Sequence, residues 1–430
     1  MTTFFRVPEN HPQRFELHNE VHARPSMALP LPVKASHLAL TMDGEQKESE
    51  HRHLAALCER FNITPPKQKA DHFTADFSAF QLRWEQHCEF STYTFYRAEL
   101  DDEPFAVPAL GQVPTDWLEA LSGQLIAAIH AAIIPQEDEH LNIEKIATHF
   151  SGNTLVGAEV SGGSARAFTD FQVSVDGFSR ILILDRHLRS RQAGRLLQRL
   201  FEIEVYRLMA LLAFPVAKEQ IPKLNKTDAY LLNITKAMAE PDRDDSALLD
   251  ELSSLAVDVE NSLSSTDFRF GATAAYYKLV GLRINDLREV RIQGIQTFGE
   301  FMKRRLDPAV KTCRSAAGRL SKLSERIGNA SQLLRTRVDI TLERQNQSLL
   351  TSMNRRVRLQ LRLQQTVEGL SVIAITNYVA SLAGYFAKAA QTLGWPINTD
   401  LTVGFSIPIA FLLAAITVRQ IRKMAITIPE

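Results

Sequence analysis

Cysteine is scarce. Cys58, Cys88 and Cys313 are scattered, odd in number and form no CxxC pair. That pattern argues against a disulfide scaffold and a cysteine zinc site, and it suits a reducing compartment. Recognisable catalytic motifs are also lacking. There is no nucleophile elbow, HExxH, P-loop or dinucleotide glycine pattern, so the chain is not expected to be an enzyme. Ser161-Gly162-Gly163-Ser164 has neither the Walker spacing nor its lysine and reads as a turn. The opening residues, Met1 to Gln13, show no basic region followed by an apolar core. The expectation is therefore no secretory signal and a large cytosolic portion. Finally, no proline stands between Pro308 and Pro396.

A net charge of zero conceals a split. Residues 271–365 hold 19 Lys and Arg against 7 Asp and Glu, whereas residues 1–270 hold 26 against 39. The acidic part could meet cations or a basic neighbour. The basic part leads into an apolar region, where anionic lipid headgroups are nearer partners than nucleic acid. No nucleic-acid partner is expected.

Two apolar runs close the chain, residues 369–387 and 401–418, and neither contains Asp, Glu, Lys or Arg. Each approaches the ~20 residues that a helix needs to span hydrocarbon. In lipid the backbone must satisfy itself, so both should be helices. The alternative is a pair of buried helices in a soluble core. Arg355, Arg356, Arg358 and Arg362 precede the first run, and Arg419, Arg422 and Lys423 follow the second. Positive flanks stay inside. The reading is thus a two-pass protein of the bacterial inner membrane, with both termini cytoplasmic and a short outer loop, 388–400, bearing Trp395.

Upstream, residues 1–35 read as an extended arm. His18 and His22 flank Glu20 and could grip a metal from one helix face, or they could pin the arm to the domain. Strands are expected at 36–42, 77–85, 90–97, 155–160, 167–175 and 180–184, with a turn at Asp176-Gly177. Helices are expected at 46–61, at 116–134 up to Pro135, at 192–214 ended by Pro215, and at 221–239, 247–268 and 271–305. Glu202 and Glu204 interrupt one apolar helix and are either buried acids with a role or ion-paired carboxylates.

This gives an α+β domain over 36–190 with a mostly antiparallel sheet, a helical region over 191–308, and a stalk helix over 309–368. The tail is 419–430. Along the stalk, Ala316, Leu320, Leu323, Ile327, Ala330 and Leu334 are spaced by four and three, and Val338, Leu342, Gln345 and Leu349 continue the seam after a stutter. So long a seam needs cover, either in a homo-oligomer or in a monomeric antiparallel hairpin. Within the first span, Ala374, Asn377, Ser381 and Gly384 share one face. They could line a narrow polar pore or pack spans together.

The order of these parts resembles the CorA-type magnesium transporters over about residues 36–423. That likeness implies a pentamer with the first spans around a pore, and a divalent cation as ligand. Where that family carries Gly-Met-Asn, this chain reads Gly384-Tyr385-Phe386. His18, Glu20, His22, Arg24 and Pro25, with Ser36-His37-Leu38-Ala39, the segment Glu204 to Leu212 and the hairpin, resemble a bacterial family of uncharacterised membrane-anchored proteins across the whole chain. That resemblance implies anchoring and no activity. Two functions follow as expectations: an oligomeric cation channel or transporter, or a scaffold that presents its cytosolic domain to a partner.

Overall fold

The structure is a computed structural model. It describes residues 8–15, 17–18, 26–67, 70–98, 103–136, 141–240 and 243–426. It divides into two compact units, Met1–Arg243 with Asp250–Ser331 and Asp244–Leu249 with Gln332–Glu430.

The first unit is built on one nine-stranded sheet. The strands are β1 (Val33–Thr41), β2 (His72–Asp76), β3 (Gln81–Gln86), β4 (Phe90–Arg97), β5 (Gln124–Pro135), β6 (Val156–Val160), β7 (Ala165–Thr169), β8 (Ser179–Asp185) and β9 (Val290–Arg291). Their order across the sheet is β2-β3-β4-β1-β5-β8-β7-β6-β9. All neighbours are antiparallel except β5 and β8. Asp43 caps α1 (Gly44–Arg60) through a capping box with Gln46, which satisfies amides that a helix start leaves bare. Two short helices, α2 (Thr115–Glu119) and α3 (Ile143–Thr148), sit in the connections.

Alternation along β1 sorts the core into layers. Val33, Ala35 and Ala39 join Leu196, Leu197, Leu200 and Phe201 of α4 (Ser190–Leu211). Leu38 and Leu40 point the other way, into a cluster with Leu54 and Leu57 of α1, Trp84, Tyr93 and Phe95. The sheet is therefore covered on both faces. The arm adds to this cover: Leu29 is fully buried, and its amide donates to the Ser190 carbonyl at 3.1 Å. A Cβ on Gly194 would lie 1.8 Å from the Met27 carbonyl oxygen, so only glycine fits that crossing.

Several expectations are corrected. Residues 116–134 are not one helix. Only Thr115–Glu119 is helical, and Gln124–Pro135 is a central strand. Its Ala- and Ile-rich run is buried between β1 and β8, and a strand buried on both faces lacks the alternation that marks a half-exposed one. Pro215 does not end a helix. It lies in the first turn of α5 (Ala213–Ala237), where its missing amide costs little, and Pro222 is carried further inside. The break expected between Phe268 and Gly271 is absent, because α6 (Asp245–Leu287) runs through it. The last connection holds β9, and the next helix starts at Phe298, so Pro308 lies inside it. This is α7 (Phe298–Thr392), which contains both the stalk and the first apolar run. The turn before α8 (Thr399–Ile426) is thus shorter than the expected 388–400 loop.

Candidate functional site

The period-two geometry of the sheet sets a row of polar side chains on the face that α4 covers. His37 of β1 stands opposite Thr94 of β4, which stands opposite Arg83 of β3. Glu85 and Thr92 form the next pair along. On α4 the facing positions are Gln198, Phe201, Glu202, Val205 and Tyr206, whose spacing of three, one, three and one defines a single helix face. Together these residues enclose a cavity of about 30 Å³.

His37 is the most constrained member. Its Nδ1 lies 2.8 Å from Thr94 Oγ1, and its ring stacks on Phe201 with centroids 4.6 Å apart. Its Nε2 is buried and has no hydrogen-bond partner among the described residues. Burial pushes its pKa down to about 3, and His87 and Arg83 add to the effect. Beside it, Arg83 Nη2 donates to Glu85 Oε1 at 2.8 Å, with both side chains nearly out of solvent. Burial also pushes the Tyr96 hydroxyl up to about 12, against the opposing pull of Arg83. From the helix side, Glu202 accepts from Gln198 at 2.8 Å and from Arg283 of α6. Tyr206 stacks on Tyr276 of α6.

The site is charge-balanced: two acid–base pairs surround a neutral imidazole. Its volume is that of one or two water-sized ligands. An imidazole neutral down to about pH 3 is mismatched for proton transfer near neutrality. What the arrangement can do is fix how α4 sits on the sheet, because buried polar pairs penalise other placements.

Two further polar centres lie on the opposite face. Glu50 of α1 is buried and accepts from Trp84 Nε1 (2.9 Å), Gln86 Nε2 (3.0 Å), Ser91 Oγ (2.8 Å) and Tyr93 OH (2.6 Å). Burial, with Glu50 beside it, raises the Tyr93 pKa well above its ordinary value. Ser36 Oγ and His130 Nδ1 are 2.9 Å apart, and both residues are buried. Burial lowers the His130 pKa to about 4.

Composition alone did not single out Arg83, Glu85, Tyr96 or Glu50. The available signal was period two: Arg83 and Glu85 are charges alternating with apolar residues inside a strand. Glu202 and Glu204 are both ion-paired, Glu202 with Arg283, and Glu204 with Arg207 through contacts of 2.9 and 2.5 Å. In the arm, His18 is exposed, while Glu20 and His22 lie outside the described residues. No group of three or more metal-ligating side chains occurs among the described residues.

In the second unit, α7 and α8 are long and apolar enough to cross a membrane, and their most apolar windows are only 22% and 11% buried. A soluble core helix would be mostly covered. Thr376, Ala380 and Ala387 of α7 are buried, as are Ala410 and Ala414 of α8. Gly384 of α7 faces Val403 of α8, where a Cβ would come within 3.1 Å of the valine side chain. Ala374, Asn377 and Ser381 are exposed and Gly384 is half-buried. Asn377, Ser381 and Gly384 border a groove of about 430 Å³ with Val403, Ile407 and Phe411. Arg355, Arg356, Arg358, Arg362 and Arg419 are exposed; Arg422 and Lys423 belong to α8, and their side chains lie outside the described ones.

No curated protein and no solved structure matches the chain, so the likeness to CorA-type transporters gains no support. A family does match, under the description "Protein of unknown function (DUF3422)", over residues 9–425; the chain belongs to that family.

Proposed function

We propose that this chain is a two-pass protein of the bacterial inner membrane, with both termini in the cytoplasm, that anchors its α+β unit as a non-enzymatic scaffold for a cytosolic partner. The observation that carries the reading is the uncovered belt of the hairpin. Leu370, Ile373, Leu382 and Phe386 of α7, and Phe405, Ile409 and Leu412 of α8, are all exposed. Water would penalise that belt by about 25 cal/mol per Å² of apolar surface, and lipid removes the penalty. The arginines before and after the hairpin set its orientation. The test is protease protection on right-side-out and inverted vesicles. Cleavage of residues 36–190 only in inverted vesicles is expected, and cleavage in right-side-out vesicles overturns the orientation.

Cation conduction is the second reading, and the exposure of Asn377 favours it. Of the polar groups on that face, Ser381 Oγ already donates to the Asn377 carbonyl at 2.8 Å. The side-chain amide of Asn377 is what remains to meet an ion or another helix. A CorA-type pentamer around a divalent cation belongs to this reading alone. In proteoliposomes it predicts a cation flux that Asn377→Leu weakens, and no flux under any cation gradient leaves the scaffold.

A further inference from the structure

One face of α7 changes character along its length. The seam residues Ala316, Leu320, Leu323, Ile327 and Leu334 are buried by the chain itself. Beyond Leu334 the same three-and-four spacing continues, but the residues are bare: Leu342, Leu349, Met353, Leu363, Val367 and Leu370 are all more than half exposed. The next steps of three and four land on Ala374, Asn377, Ser381 and Gly384. The face that is apolar up to Leu370 is thus small and polar from Ala374 on. Arg344, Arg355, Arg358 and Arg362 lie away from it, by their spacing of 100° per residue.

Lipid cannot explain the whole face. Met353 precedes Gly369 by 16 residues, about 24 Å along a helix, so Leu342 to Met353 lie outside the hydrocarbon. In water an apolar stripe drives association. In lipid apolar contact drives nothing, and small residues with an amide do so instead. A face apolar in water and small and polar in lipid is what a helix needs when a neighbour runs beside it through both solvents.

Resting on the reading of α7 as a membrane span, we infer that this face binds the same face of a second copy of the chain, parallel and in register. A second copy supplies leucine opposite leucine in water and asparagine opposite asparagine in lipid, and both copies cross the bilayer in the same direction. The seam is also continuous with the one the chain buries within itself up to Leu334. Gln345, Arg356 and Gln360 interrupt the stripe, and polar seam positions of this kind select register and copy number.

The test is bismaleimide cross-linking in native membranes of the full chain carrying Cys88→Ser; Cys58 and Cys313 are buried. Leu349→Cys and Ser381→Cys should give a cross-linked dimer. Gln347→Cys and Phe386→Cys, on other faces, should give at least ten-fold less. Equal cross-linking at all four sites overturns the inference, as does a product of another mass or no product at any site. Alkaline carbonate extraction separates this from failure of the anchor. A chain retained in the membrane without cross-linking sinks only the self-association, whereas a chain released by carbonate sinks the anchor. As a second variant, Leu342→Glu with Leu349→Glu should lower the dimer fraction ten-fold or more in detergent while leaving the helical circular dichroism unchanged. An unchanged dimer overturns the inference.

Discussion

The sheet of the first unit and the hairpin of the second handle polar groups in opposite ways. Around the sheet, charge is taken inside and paired: Glu50 has four donors, Arg83 is held by Glu85, and His37 is kept neutral. In the hairpin the large apolar side chains are outside, while Thr376 and four alanines, Ala380, Ala387, Ala410 and Ala414, are inside. The difference shows that "inside" has meaning only relative to the solvent. In water a buried carboxylate persists only when its hydrogen bonds are replaced. In a bilayer the outer surface is where leucine and phenylalanine belong.

The contrast is broken most severely at Glu50. Glu50→Ala leaves four donors buried without an acceptor, and a loss of about 3–5 kcal/mol is expected from denaturant unfolding. Glu50→Gln should cost less but remain destabilising, because its amide N–H groups face donors. In the hairpin the matching insult is the reverse one. Val379→Arg puts a charge on the exposed belt near mid-span, at about 3 kcal/mol of insertion, and carbonate extraction should release more of the variant. Gly194→Ala should destabilise by about 1–3 kcal/mol in the same unfolding assay, since its methyl group meets the Met27 backbone.

The pH dependence sharpens the comparison further. His37 and His130 have folded pKa values of about 3 and about 4, both below the ordinary 6.5. Between those values and 6.5 the unfolded chain binds more protons than the fold, so stability rises with pH. Each histidine contributes up to about 1.4 kcal/mol per pH unit, lost as pH falls below 6.5. His37→Gln should flatten the dependence, measured as midpoint denaturant concentration from pH 7 to pH 4.5. The smallest effect belongs to the exposed pair Arg326–Asp228 at 2.8 Å. Arg326→Ala should change stability by less than about 1 kcal/mol and lose salt sensitivity.

Legibility of the sequence followed the strength of each local pattern. The two apolar runs, the helix after Asp43, the strands β1 and β4 and the turn at Asp176-Gly177 were readable, because each depends on residues within a few positions. Strand β5 was misread as helix because burial on both faces erases alternation. The prolines misled in two ways: Pro215 sits in a first helical turn, where a missing amide is harmless, whereas Pro308 is carried about three turns inside α7. The His37 cavity was hidden because its members come from β1, β3, β4 and α4, and only a register can set His37, Thr94 and Arg83 in one row.

The sequence by itself determined that two uncharged apolar runs lie near the end of the chain, that arginine flanks them, and that no proline between Pro308 and Pro396 interrupts the helix leading into the first. These are one-dimensional facts about length and polarity, readable without knowing which residues meet in space. Tertiary structure alone decided which acids are neutralised, which imidazoles stay uncharged and where the α7 seam ceases to be covered. Those outcomes depend on what packs opposite each side chain, and residues far apart in the chain supply it.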